Sequence, residues 1–241
     1  MRTFDIVYIV NLIPKLLPYT LVTLRIVLIS FLLGAFFGGL LAKAKMSQYK
    51  WVKKIAFGYT SMIRCTPFII MLFIVYYAIP IIGGLFGAKN PNLPKSFYAV
   101  ITLTMYAASN LSDNFRTAYV AVGKGQREAA LCSGLTERQA FIRIIFPQMM
   151  YIAVPMISNV IISLMQDTAL VFAIGLVDLM GQAKILDSLA YNVHTTEIYI
   201  LVALLFWLLA LLVEKILRVY HLHLGKYTNP RKVKASAGGN V

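Results

Sequence analysis

Five long apolar stretches alternate with polar segments along the chain, at residues 20–42, 66–86, 96–121, 149–172 and 198–219. Each comes close to the roughly 20 residues that a helix needs to cross a hydrocarbon layer about 30 Å thick. No strand-like alternation recurs, and no period of about 20–50 residues is present, which excludes a transmembrane barrel and a solenoid. The pattern predicts an all-α integral membrane protein with about five transmembrane helices. Within the first stretch, Gly34, Gly38 and Gly39 form a small-residue face that lets a second helix come close. Pro67 suits the first turn of the second span, with Arg64 placed to snorkel to the interface. Asn90-Pro-Asn-Leu-Pro94 predicts a rigid turn within the connection 87–95. Residues 176–197 are too polar to span and predict a short interfacial or re-entrant helix.

Charge orients the spans. The chain is 59% hydrophobic and 13% charged, with a mean hydropathy of +0.75 and a net charge of +14. Lys43, Lys45, Lys50, Lys53 and Lys54 follow the first span, and Arg116, Lys124, Arg127, Arg138 and Arg143 surround the loop after the third. Lys215, Arg218, Lys226, Arg231, Lys232 and Lys234 follow the last. The opposite side has only Arg2, Lys15, Lys89, Lys95 and Lys184. The positive-inside bias then puts the N-terminus outside and the C-terminus in the cytoplasm, which an odd number of spans requires. The basic excess serves topology and membrane lipid, with no nucleic acid as partner. Residues 1–225 form one transmembrane domain with a cytoplasmic loop at 123–147, and 226–241 form a basic, disordered cytoplasmic tail. Cys65 and Cys132 fall on the cytoplasmic side as free thiols. With Arg2, Asp5 and Lys15 and no cleavage site, the N-terminal region predicts that the first span directs insertion.

Several chemistries are missing. No Walker A spacing occurs, since Gly84-Leu-Phe-Gly87-Ala-Lys89 has the wrong intervals. His194, His221 and His223 have no carboxylate or cysteine cluster to make a metal site, and no nucleophile and base are paired by spacing. The chain is therefore not an enzyme and binds no cofactor directly; any ATP and magnesium would belong to another subunit.

Residues 128–147, EAALCSGLTERQAFIRIIFP, are longer than a simple reversal requires. Gln126 to Cys132 favour a helix, Gly134 a break, and Thr136-Glu-Arg-Gln139 a capping box that opens a second helix, with Pro147 at the entry to the next span. Glu128 offers a charge, and Ala129 and Ala130 a surface almost without side chains. The segment reads as a docking element.

The spacing of Glu128-Ala-Ala130, Gly134, Ile144 and Pro147 resembles the EAA loop of ABC-importer permeases, with Phe146 in place of the usual leucine. Arg64-Cys-Thr-Pro67, Tyr76-Tyr-Ala-Ile-Pro80, Gly125-Gln-Arg-Glu128, Pro147-Gln148, Pro155 with Asn159, and Gln166-Asp-Thr-Ala-Leu170 extend the likeness to the polar-amino-acid uptake branch. The resemblance implies a type I importer permease in a bacterial cytoplasmic membrane. It implies docking through the loop onto a separate ABC ATPase subunit, a second permease subunit, identical or paralogous, and an extracytoplasmic solute-binding protein. Phe115-Arg-Thr-Ala-Tyr119 and Phe172-Ala-Ile-Gly-Leu-Val-Asp-Leu-Met-Gly181 are similar to cystine-type members, so L-cystine is the first expectation. Gln166 and Ala169 depart from the branch's usual lysine and serine, and Ser109-Asn110-Leu-Ser-Asp113 from its Ala-Tyr-x-x-Glu.

Polar residues fall on single helical faces inside two spans. Asn159, Ser163, Gln166 and Asp167 lie at i, i+4, i+7 and i+8, and Thr102, Tyr106, Asn110 and Asp113 at i, i+4, i+8 and i+11. A carboxylate at mid-membrane costs about 2.5–3.5 kcal/mol, so these faces are expected to meet each other or water. Asp167 could take an ammonium group and the amides a carboxylate. The structural alternatives are Asp113 paired with Arg116, Asp167 with Thr168 as the N-cap of a half-helix, and Asn159 and Ser163 as interhelical bonds. Another ABC cargo, such as an opine or a different amino acid, and an ion-coupled secondary transporter remain as alternatives.

Overall fold

The computed structural model describes residues 6–86 and 93–228; the Asn90–Asn92 part of the predicted turn and most of the predicted tail lie outside them. No strand occurs among the described residues. Helix α1 spans Ile6–Lys45, α2 Lys50–Cys65, α3 Phe68–Leu85 and α4 Lys95–Val122. Two short helices follow, α5 at Lys124–Cys132 and α6 at Glu137–Ala140. A π-helical stretch, Phe141–Ile145, joins α6 to α7, Phe146–Thr168, and a 3₁₀ turn at Val171–Ile174 precedes α8 (Leu179–Leu189) and α9 (Thr195–Thr228).

Four segments are long and apolar enough to cross a membrane: Val7–Lys45, Phe68–Leu85, Glu137–Ile174 and Thr195–Gly225. The other expected span, α4, is a 28-residue helix whose serine, threonine, tyrosine and asparagine positions lower its hydropathy. Its place explains them, because α4 packs on α1, α2, α3 and α7, and Thr102, Ser109 and Ser112 are buried against neighbouring chain.

Helix α1 begins about four turns before the expected start at residue 20 and carries Pro14 and Pro18 inside it. Leu12 and Leu16 are buried in a cluster with Leu179, Ala183, Ile198 and Leu201, and this packing of α1 on α8 and α9 holds the extension in place. Helices α1 and α4 pack backbone to backbone at the predicted small-residue face. A Cβ on Gly34 would lie 2.3 Å from that of Ala107, and one on Gly38 would lie 3.0 Å from the Ala108 carbonyl oxygen.

The outer segment contains one ordered helix, α8, capped by Asp178, whose carboxylate accepts the Gly181 N–H at 2.9 Å. Asp178 is fully buried beside Thr23 of α1. Burial pushes its carboxyl above the usual range, opposed by the hydrogen bonds from Gly181 and Thr23. Between α6 and α7 the helix widens instead of breaking. Pro147 has no N–H and its ring would crowd the carbonyl four residues earlier, so the π turn, in which Phe146 N–H reaches Phe141 O, carries the chain through without a stop. The helix α9 continues to Thr228, two residues past the point at which the tail is expected to begin.

Candidate functional site

The loop forms the two short helices that its spacing predicts, and its own side chains fix them against each other. Gly123 and Gly134 both take positive φ, +80° and +82°, conformations that other residues adopt only at a cost. Thr136 Oγ1 accepts the Gln139 N–H at 3.3 Å while Gln139 Oε1 accepts the Thr136 N–H at 2.9 Å, a complete capping box. Arg127 of α5 forms an ion pair with Glu137 of α6, its Nε donating at 2.9 Å. Gln148 at the base of α7 donates to Gln126 at 3.3 Å. Ala130 and Ala140 are buried, so Ala130 serves the packing of the loop rather than its open surface. Glu128 and Ala129 remain exposed, Ile144 and Pro147 are partly covered, and Phe141, Ile142 and Phe146 are 40%, 53% and 44% exposed. The product is a braced knob that exposes Glu128 among basic side chains and, beside them, the apolar Phe141, Ile142 and Phe146. Sequence reasoning missed Phe141 and Ile142 as exposed apolar side chains of the loop.

The two polar faces meet only in part. Asn110 and Asn114 of α4 and Asn159 and Ser163 of α7 line a cavity of about 270 Å³ together with Met156 and Val160. Asn110 donates to the Tyr106 carbonyl at 3.0 Å and Asn114 to the Met156 carbonyl at 3.3 Å, which leaves their amide oxygens for the cavity. Gln166 and Asp167 do not line this cavity. Gln166 is exposed and Asp167 half-buried near the end of α7. The helix ends at Thr168, whose Oγ1 donates back to the Met165 carbonyl, so Asp167 is in a last turn and is not an N-cap. Tyr106 is occupied: its hydroxyl donates to the Thr66 carbonyl at the break between α2 and α3, and its ring packs edge-on against Phe68.

Asp113 belongs elsewhere. It does not pair with Arg116, whose guanidinium lies 5.6 Å from the Phe57 ring centroid. Its carboxylate binds Lys45 Nζ and Arg64 Nη1, each at 2.5 Å, and Lys45 also donates to Ser112 Oγ at 2.8 Å. The Lys45 side chain is fully buried and that of Arg64 is 52% exposed. Asp113 thus ties α1 and α2 to α4, and Arg64 is held to it rather than reaching freely for the interface. Lys45 could not be singled out among the five lysines that follow the first span.

Residues 34–223 match the family described as binding-protein-dependent transport system inner membrane component. The chain belongs to this family. It is 35% identical over 218 residues to the L-cystine transport system permease protein TcyL of Bacillus subtilis (strain 168), covering 90% of each chain. It is 32% identical to the arginine transport system permease protein ArtQ of the same organism, covering 83% of this chain and 88% of that one. A crystal structure of an amino acid ABC transporter with histidines superposes with a TM-score of 0.78 at 28% identity, covering 92% of this chain and all of the other.

This inner-membrane permease is accordingly a transport subunit, and its family depends on a binding protein that delivers the solute. Both the loop and the α4–α7 cavity lie inside the stretch that defines the family. Among the described residues no group of histidine, cysteine and carboxylate side chains could hold a metal ion. What the described residues present is therefore a small polar cavity between α4 and α7 and a braced pair of short helices at the base of α7.

Proposed function

We propose that this permease carries amino acids inward as one half of the membrane pore of an ATP-driven importer, with L-cystine as its cargo. The loop from Glu128 to Pro147 docks into a separate ATPase subunit, and a solute-binding protein delivers cargo at the opposite end. The observation that carries this reading is the loop itself: an exposed, internally braced pair of short helices joined without interruption to α7. ATP-driven closure acts on this loop as a rigid lever, because packed helices shift as units. Asn159, Ser163 and Gln166 are exposed on α7, and such groups are costly against lipid, so a second permease subunit covers that face. The basic segments put the C-terminus in the cytoplasm and the N-terminus outside.

Cystine is favoured by the identity to TcyL, and ArtQ and the amino acid transporter structure support the broader class. Asp167 and Gln166, near the end of α7, meet the α-ammonium group and its neighbouring polar groups as cargo enters, and Asn110, Asn159 and Ser163 offer polar contacts in the cavity farther along the same helix. The test is competitive uptake of cystine, glutamine and glutamate by the assembled transporter carrying Asp167→Asn or Gln166→Lys. A charge-assisted hydrogen bond is worth about 1.5–3 kcal/mol, so Asp167→Asn should slow uptake at limiting substrate by about one to two orders of magnitude. Gln166→Lys should move preference toward glutamate. Unchanged rates and an unchanged ranking in both variants would leave these residues as interhelical packing only.

A further inference from the structure

A second cavity, of about 440 Å³, opens between α7 and α9 and shares Asn159 with the first. Glu214, Arg218 and His221 line it from α9, at i, i+4 and i+7 and so on one face, and Ser158 and Asn159 line it from α7. Their polar ends are not spent on one another. Glu214 and Arg218 stand one turn apart, the spacing at which helices pair opposite charges, yet neither belongs to an ion pair among the described residues. Ser158 and Asn159 make no side-chain hydrogen bond among those residues. His221 stacks on Tyr151 with ring centroids 4.3 Å apart, and its buried Nδ1 has no hydrogen-bond partner. Such a buried group normally finds a partner or a ligand.

Side chains carrying a carboxylate, a guanidinium, an amide and a hydroxyl therefore line one volume within the usual range for small-ligand sites, with the His221 ring beside them. The charged pair has one group of each sign, which suits a molecule that itself carries both charges on groups attached to one carbon. We propose that this cavity is a second amino-acid site, in which Glu214 binds the α-ammonium group and Arg218 the α-carboxylate. A guanidinium accommodates a carboxylate through two parallel N–H donors, and Asn159 and Ser158 lie where the side chain of the bound molecule begins. Tyr151 stands in the second turn of α7, so the site is at the loop end of the bundle. This inference rests on the import reading: cargo that has passed Asn110 and Ser163 is held here, through Asn159, before release beside the ATPase.

The test uses the assembled transporter in lipid nanodiscs, incubated with an equimolar mixture of the protein amino acids and L-cystine. Bound material is released and read by amino-acid and lipid analysis for the wild type, Glu214→Gln, Arg218→Gln and Asn110→Ala, with ATP-driven uptake measured on the same preparations. Both charged side chains are exposed on the surface of α9, so their substitution leaves assembly intact, which is checked by copurification of the ATPase. The wild type should retain an amino acid, and each charge variant should bind it about tenfold or more weakly. Equal retention in wild type and both charge variants, with loss in Asn110→Ala, would put all bound cargo in the α4–α7 cavity and overturn the second site. Retention of an ethanolamine phospholipid in place of an amino acid, lost in both charge variants, would overturn it as well. Uptake without any retained amino acid sinks the second site and leaves the import reading standing, whereas a correctly assembled wild type with no uptake of any amino acid sinks the import reading.

Discussion

Removing the Asp113 charge should destabilise the bundle more than any other single charge change in it. The Asp113→Asn side chain keeps its shape but removes the counter-charge of the Lys45 ammonium, which has no solvent contact and is left with only neutral acceptors, Ser112 Oγ and an amide oxygen. Breaking a buried ion pair from one side costs about 3–5 kcal/mol because the other charge stays behind. Asp113 is 29% exposed, so water reaches the site and the lower end, about 3 kcal/mol, applies. Arg64 is 52% exposed and adds at most about 1 kcal/mol. For a chain of this length each kcal/mol moves the thermal midpoint by about 2–4 °C, so a fall of about 6–12 °C is expected for the purified permease in one detergent. The double variant Lys45→Met with Asp113→Asn removes both charges together and should recover most of that loss. A single variant within about 1 °C of wild type, or a double variant no better than the single, would refute the account of Asp113 as a tether.

Gly34→Val should cost at least about 1–3 kcal/mol in a thermal melt, because its Cβ would collide with Ala107, whereas Gly39→Ala, with open space around it, should be neutral or mildly stabilising. Gly134→Val and Glu128→Lys should abolish uptake while solute binding by the outer protein stays normal; at Gly134 the obstacle is φ alone, since nothing lies within 4 Å of its Cβ position. Asp178→Ala should lose about 1 kcal/mol through the missing cap on α8. Asp178→Asn tests the pH dependence. A folded-state carboxyl raised above its unfolded value favours the fold fully below about pH 4 and loses that contribution as pH rises through the raised value. The wild-type midpoint should therefore fall relative to that of Asp178→Asn as pH increases, and a constant difference would contradict the burial argument.

The helices and the loop were legible because they rest on local rules: apolar run length, glycine at positive φ, and a threonine and glutamine at capping distance. The polar site was legible only as two stripes. Periodicity assigns residues to a face but not the face to a neighbour: Asn110, Asn159 and Ser163 share a cavity, whereas Tyr106 and Asp113 of the same stripe are held by other partners. Tyr106 is taken by a backbone carbonyl 40 residues away and Asp113 by a lysine 68 residues away, and no local pattern encodes such partners. The early start of α1 was hidden for the same reason. Pro14 and Pro18 argue locally against a helix, and only burial of Leu12 and Leu16 against α8 and α9 overrides them.

The glycine seam between α1 and α4 has a mechanical consequence. With Gly34 and Gly38 seated against the Ala107–Ala108 backbone, and Lys45 bound to Asp113 at the end of the same seam, neither helix can slide or roll on the other without a steric collision or a stranded charge. The pair forms a stator. If the loop delivers a stroke as proposed above, α7, which carries the loop on its own axis, would take it up, and the passage would open and close by movement of one wall against a fixed one.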